Sequence, residues 1–277
     1  MRKEYRNQGY FMAASFLTPP EVRALLADIE AISSGATRSD HDRTRLEMEP
    51  DQPPEGGQVR RIYEPCTYYP RFREFSERPD LLDTVSALLG PNLVFHYSKI
   101  NMKPPAIGSV VEWHQDLAYY PLTNDDSVSI LFYLDDADVG NGCLRVLPGE
   151  HRRGILNHTR DGWFQGRITE SIDESGAVAL EGKAGAAIFM HAMLPHASAP
   201  NSSGRPRRTL ILSFRATDAF PVYLGETTLR AEAHVRHVRG QPAAQARFTF
   251  AHIPIPRYPA QTRSLYELQE LSRRAGV

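Results

Sequence analysis

Only two cysteines, Cys66 and Cys143, occur in 277 residues. Their spacing suits neither a disulfide framework nor a cysteine-bound metal, so a reducing compartment, the cytoplasm, is expected. An excess of one charge is also missing: 32 basic side chains meet 33 acidic ones, a formal net charge of −1. A nucleic acid or a membrane surface would favour a strongly basic face, so neither is the expected partner. Long hydrophobic runs are absent. The first residues, "MRKEYRNQGYFMAASFL", start basic without a long apolar stretch, and neither a signal peptide nor a membrane span is expected. Repeats, low-complexity tracts and a convincing linker are lacking too. One domain over 1–277 is therefore the expected organisation.

What is present divides at Gly90. Before it, "LTPPEVRALLADIEAISSG" predicts a helix. Thr18 and Glu21 make a capping box, Pro19 and Pro20 sit where a missing N–H costs little, and Val22, Leu25, Leu26 and Ile29 share one face. "RPDLLDTVSALLG" predicts a second helix that stops at Gly90. Between the two, residues 36–60 are polar, aperiodic and broken by Pro and Gly, which fits either disorder or a lid. After Gly90 come short runs rich in β-branched and aromatic residues, such as "NLVFHYSKINMK", "SVSILFYLDD", "CLRVLP", "GAAIFM" and "RTLILSFRA", separated by turn signals. That texture predicts a mainly β fold with flanking helices, a sandwich or jelly roll, with its core over about 91–220. Residues 157–182 read as an irregular insertion, and "RSLYELQELSRRAG" (263–276) as a closing amphipathic helix.

Within this β region, "VEWHQDLAYY" sets His114 and Asp116 one residue apart. On a strand both would point to one face and to one shared ion. A third ligand is sought in "FMHAMLPHASAPNSSGRPRRTLILSFRA", which offers His191 and His196. His191 follows an apolar run, as a buried imidazole would; His196 lies beyond Pro195 near a turn and is the better candidate. Two histidines and one carboxylate suit non-haem Fe(II) and leave open positions, although a hydrolytic zinc site takes similar ligands. Ser198 and Arg207 follow. An arginine near the metal would suit a cosubstrate with a distal carboxylate, while Arg205, Arg207 and Arg208 together also read as a solvated basic turn. If Arg207 faces the cavity, Arg215 shares its face and is a candidate for an anionic substrate group, or for a pair with Asp218 or another acid. Tyr119, Tyr120 and Arg61 are candidates for the mouth.

The linked motifs "KPP…WHQDLAYYP…NGCLRVLPGEH…HASAPNSSGRPRR" resemble the phytanoyl-CoA dioxygenase family of Fe(II)- and 2-oxoglutarate-dependent oxygenases. The resemblance covers roughly 60–220 and implies a double-stranded β-helix (jelly roll, cupin-like). It implies that His114, Asp116 and His196 bind Fe(II). Arg207 and Ser198 would hold the distal carboxylate of 2-oxoglutarate. Lys99 would face that cosubstrate, and Phe132, eighteen residues after His114, would wall its pocket. Gly142 and Gly149 would serve a structural turn. The implied activity uses O₂ to hydroxylate an unactivated C–H bond of a small or mid-sized metabolite, with succinate and CO₂ as coproducts. Desaturation, epoxidation or ring formation at the same iron is the alternative. A non-catalytic jelly-roll binding protein would have no need of the full ligand set. Asp116 keeps the carboxylate that halogenating relatives replace, which implies oxygen insertion.

Overall fold

The computed structural model describes residues 1–107, 109–223, 225–258 and 265–274. The N-terminal part holds α1 (Arg2–Gln8), β1 (Tyr10–Ala13), α2 (Pro19–Ser33), β2 (Leu46–Met48), β3 (Val59–Tyr63), α3 (Pro65–Tyr68), α4 (Pro70–Ser76) and α5 (Pro79–Leu89). The β region holds β4 (Leu93–Lys103), β5 (Val111–His114), β6 (Ser127–Tyr133), β7 (Leu144–Val146), β8 (Thr159–Arg160), β9 (Trp163–Phe164), β10 (Val178–Leu180), β11 (Ala187–His191), β12 (His196–Ser198) and β13 (Arg207–Ala216). Then follow α6 (Glu226–Glu232), β14 (Arg236–Arg239) and α7 (Leu265–Arg274).

The larger sheet runs β1-β11-β6-β13-β4-β3-β2, with β14 also on β4; the smaller runs β10-β7-β12-β5. From β4 to β13 the chain crosses repeatedly between the two, and every pairing is antiparallel. This is the expected jelly roll. The five β-rich runs all appear as strands. The helix "LTPPEVRALLADIEAISSG" is α2, where the Glu21 carboxylate accepts the Thr18 N–H at 2.7 Å. The second predicted helix is α5, ended by Gly90 at φ 102. The closing helix is α7; 263–264 and 275–276 of its expected span lie outside the described residues.

Helices α2 and α5 cover the outer face of the larger sheet. Val22, Leu25, Ile29, Leu81 and Val85 pack there with Val128, Ile130, Phe132, Leu212 and Phe214. Each such side chain removed from water contributes about 1.5–3 kcal/mol. Strand parity settles one expectation against us. On β6, Val128, Ile130 and Phe132 face the helices, whereas Ser129 and Leu131 face the lumen between the sheets. Phe132 stacks near Phe16 and Phe75, at 5.6 and 5.1 Å, and so cannot wall a pocket on the other face.

Residues 36–60 are likewise not a structureless loop. They contain β2 and the start of β3, which extend the larger sheet beyond β4. The intervening turn is pinned by Gln52, whose Nε2 donates to the carbonyls of Glu49 and Gln58 at 2.9 and 2.8 Å. The insertion 157–182 is mostly irregular, as expected, but carries the β8–β9 hairpin and β10.

Candidate metal and cosubstrate site

His114 ends β5 and His196 begins β12, directly opposite each other in the smaller sheet. Their ring centroids lie 4.0 Å apart. Asp116 does not arrive by strand alternation. The strand stops at His114, and a single 3₁₀ turn, Asp116–Ala118, brings the carboxylate back. Asp116 Oδ1 lies 3.8 Å from His114 Nε2 and 3.9 Å from His196 Nε2. One ligand atom from each of the three falls within 4.8 Å of the others, and all three residues are buried.

Gln115 fixes that turn. Its Nε2 donates to the carbonyls of Gly154 and Met193 at 2.8 and 2.6 Å, and its Oε1 accepts the Leu156 N–H at 2.7 Å. One fully buried side chain thus ties the His114–Asp116 segment to the loop that delivers His196. Each imidazole is also held. His114 Nδ1 contacts the Glu112 carbonyl at 2.8 Å, and His196 Nδ1 the Leu194 carbonyl at 2.9 Å. A carbonyl only accepts, so both Nδ1 atoms carry the proton and both Nε2 lone pairs face Asp116. Ser129 Oγ donates to Asp116 Oδ2 at 2.5 Å, which leaves Oδ1 for the shared point.

Burial, then the neighbouring His196, lowers the pKa of His114 well below that of an ordinary imidazole. Burial lowers His196 as well. For Asp116 burial acts upward, but His196, Lys99 and His114 outweigh it and hold the carboxyl below its usual range. Two neutral imidazoles and one carboxylate are the protonation states that a divalent cation requires. His191 is elsewhere. Its Nδ1 accepts the Met193 N–H at 3.1 Å and its Nε2 lies 3.6 Å from Asp125 Oδ2.

A cavity runs from the triad to Arg207, with Leu131, Leu144, Met190 and Ile211 as apolar walls. Arg207 opens β13, faces the lumen and is 4% exposed. Its Nη1 donates to Thr209 Oγ1 at 3.2 Å, its Nε has no hydrogen-bond partner, and among the described residues no carboxylate pairs with it. Its neighbours differ. Arg205 pairs with Asp138, and Arg208 makes bonds of 2.9 and 2.7 Å to Asp135. The basic turn therefore resolves into one inward and two outward arginines.

Ser198 and Lys99 line the same cavity, Lys99 across the strand pair from Ile211. Lys103, not anticipated, donates from Nζ to the Ser109 carbonyl at 2.8 Å and secures the rim. Gly142 has φ 77, and a Cβ there would collide with the Ala199 carbonyl. Leu131 takes the wall position expected of Phe132. Arg61 lines the cavity, with Nε donating to Asn101 Oδ1 at 2.9 Å and Nη1 3.4 Å from Glu47. Tyr119 packs edge-on against His114 at 5.7 Å, with its hydroxyl on the Gly166 carbonyl. Arg215 pairs with Glu232 rather than Asp218, through two bonds of 2.8 Å. Gln115 and Ser129 escaped the sequence reading: a glutamine between two ligands looks like a spacer, and nothing marks one serine in an apolar strand.

Residues 5–209 match the model of the phytanoyl-CoA dioxygenase (PhyH) family. The chain belongs to that family. It is an Fe(II)- and 2-oxoglutarate-dependent dioxygenase. Among similar curated proteins, a probable alpha-ketoglutarate-dependent hypophosphite dioxygenase of Stutzerimonas stutzeri is 32% identical, over 80% of this chain and 79% of its own. A methylphosphonate hydroxylase of Gimesia maris is 30% identical, over 82% of each. The non-heme monooxygenase ThoJ shares the fold, with a TM-score of 0.69 at 21% identity over 99% of this chain and 94% of its own.

Proposed function

We propose that this enzyme hydroxylates a small oxyanion. His114, Asp116 and His196 hold Fe(II), and Arg207 with Ser198 holds the distal carboxylate of 2-oxoglutarate. The observation that carries the cosubstrate assignment is Arg207, a buried guanidinium that pairs with no carboxylate among the described residues, in the same cavity as the triad. Burying a charge unpaired is costly, so the site suits a ligand that brings the anion. When bound, iron and 2-oxoglutarate supply the oxidising power that puts one oxygen of O₂ into the substrate and releases succinate and CO₂.

The rest of the work falls to the chain. The backbone carbonyls of Glu112 and Leu194 hold the protons of both imidazoles on Nδ1. Ser129 aims one carboxylate oxygen, and Leu131, Leu144, Met190 and Ile211 would limit water in the part of the cavity they wall. The oxyanion reading has two supports. Arg60, Arg61, Lys99, Lys103 and Arg207 line the cavity, in which Asp116 is the one lining carboxylate, while Glu47 pairs with Arg61 from outside it. The two curated relatives described above are named for hypophosphite and methylphosphonate. The cytoplasm is the compartment we propose, since Cys66 and Cys143 are both free and buried.

The test is succinate release from 2-oxoglutarate with a panel of small phosphonates and phosphinates beside neutral amides and amino acids. An oxyanion should raise release well above the uncoupled background and yield an equimolar oxygenated product. Stimulation by the neutral compounds alone would contradict the substrate class and leave the iron chemistry standing.

A further inference from the structure

The strand that ends at His114, β5, lies at the edge of the smaller sheet, and among the described residues it pairs with β12 alone. Its register against β12 slips between His196 and Ser198. An edge strand leaves a row of backbone N–H and C=O groups without a ladder partner. Here two other parts of the chain meet that outer edge. The Ile168 N–H donates to the Trp113 carbonyl at 2.7 Å. The Glu112 N–H donates to Oε1 of Gln269, on α7, at 3.2 Å. The carbonyl of the same Glu112 receives the His114 Nδ1 proton. Gln269 therefore holds the residue that fixes the tautomer and direction of a metal ligand.

The other end of the Gln269 amide is also engaged. Gln269 is 2% exposed, and its Nε2 donates to the Gly166 carbonyl at 2.6 Å. That carbonyl also accepts the Tyr119 hydroxyl, and the Tyr119 ring stands edge-on to His114. One amide thus reaches the main chain before His114 and, through Gly166, the ring beside it. Neighbours on the same helix face hold the amide in place. Three and four residues on, Ser272 Oγ accepts the Arg167 Nε–H at 2.7 Å, and Arg273 Nε lies 3.5 Å from Glu112 Oε1. Leu268 joins a small buried cluster with Phe164 and with Ala118, which closes the turn that carries Asp116. The whole of α7 lies beyond residues 5–209, the part of the chain that matches the family.

We propose that α7 braces the iron site from outside and that Gln269 is a positioning residue for His114. It does not line the cavity and acts through the Glu112 backbone. This rests on the reading of His114, Asp116 and His196 as the iron ligands. A side-chain amide suits the task because it is uncharged and donates and accepts at once. Without it the Glu112 N–H would lose the partner it has now, and the outer edge of β5 would be held by Ile168 alone among the contacts described above. A ligand has to be kept within about 0.5 Å of its productive position, so a looser β5 lowers the affinity for the ion before it unfolds the sheet.

Competition with a chelator for Fe(II), on the full chain under anaerobic conditions, tests this beside thermal melts of the metal-free protein. Wild type, Gln269→Met, Gln269→Glu and Ser272→Ala are compared, and the visible band of the iron chelate with 2-oxoglutarate is recorded on each. Gln269→Met keeps the length of the side chain without its polar atoms. It should weaken iron binding about tenfold, the low end for groups that support a ligand, and move the band. Gln269→Glu keeps an oxygen for the Glu112 N–H and should recover most of the affinity. Ser272→Ala loosens the same helix without touching Glu112, so it should lower the melting temperature and leave iron affinity near that of the wild type. Wild-type iron affinity in Gln269→Met would overturn the proposal and leave the triad standing. So would an equal loss in Ser272→Ala, which would make α7 a structural cover, or an equal loss in Gln269→Glu, which would take the Glu112 contact out of the account. Should Gln269→Met not fold, the same comparison is read on Gln269→Asn, one methylene shorter. A wild type that binds no iron would remove the ligand reading itself and the brace with it.

Discussion

Removing the His196 imidazole should abolish stoichiometric iron, while His191→Ala should retain most of it. His196 shares its ligand point with His114 and Asp116, whereas His191 spends its nitrogens on Met193 and Asp125. Metal analysis of the two purified variants decides this, and full iron in His196→Ala would contradict it. Arg207→Lys keeps the charge but loses the planar fork. Its cost should be about 1.5–3 kcal/mol, seen as a 2-oxoglutarate Michaelis constant raised by roughly one to two decades. An unchanged constant would point away from Arg207, although Arg205 and Arg208 are already taken by Asp138 and Asp135. Residue identity was readable where chemistry is rare in sequence, as in the His-x-Asp pair and an arginine opening an apolar strand. It failed where one step of parity decides. Phe132 and Leu131 are both apolar and adjacent, and only the register of β6 against β13 says which enters the lumen.

At the scale of elements, the ligand-bearing segments are joined by Gln115, so their geometry should fail together. Gln115→Leu would leave the Gly154 and Met193 carbonyls and the Leu156 N–H without the partner they have now. Each unsatisfied buried group costs about 1–3 kcal/mol. We expect a lower melting temperature and an iron affinity weakened by at least tenfold, roughly one such group's cost. Thermal melts and competition with a chelator measure the two, and wild-type values for both would contradict the role. The strands β4, β6, β7, β11 and β13 were legible because each is a run of β-branched and aromatic residues between turn signals. Strands β2 and β3 were not. Arg60 and Arg61 turn inward to line the cavity, and inward charge erases the alternation that marks a strand. The turn at Asp116 was illegible for another reason: a buried glutamine's hydrogen bonds to distant loops leave no local pattern.

For the molecule as a whole, buried histidines set the response to acid. Burial pushes His158 and His191 each down to about 4, against an ordinary imidazole near 6.5. The unfolded chain therefore takes up protons first as pH falls. The stability these groups contribute is complete above about 6.5 and is lost on the way to about 4, about 3 kcal/mol each. Glu64, pushed up to about 7 by burial, acts in the opposite sense, as do Glu49 and Asp126, which burial also raises, while the other buried histidines, His96, His114, His151 and His196, are lowered as well and add to the loss. The melting temperature of the metal-free protein should fall between pH 6.5 and 4; a flat profile would contradict the burial of these imidazoles. The jelly roll brings the His114–Asp116–His196 triad and Arg207, which pairs with no carboxylate among the described residues, into one cavity. Anaerobic titration with Fe(II) and 2-oxoglutarate, followed by visible absorption, tests that most directly. The weak charge-transfer band of the chelate should grow to one equivalent of each in the wild type. In Arg207→Lys it should require far more 2-oxoglutarate. Iron that binds without the band, or a band indifferent to Arg207, would contradict it.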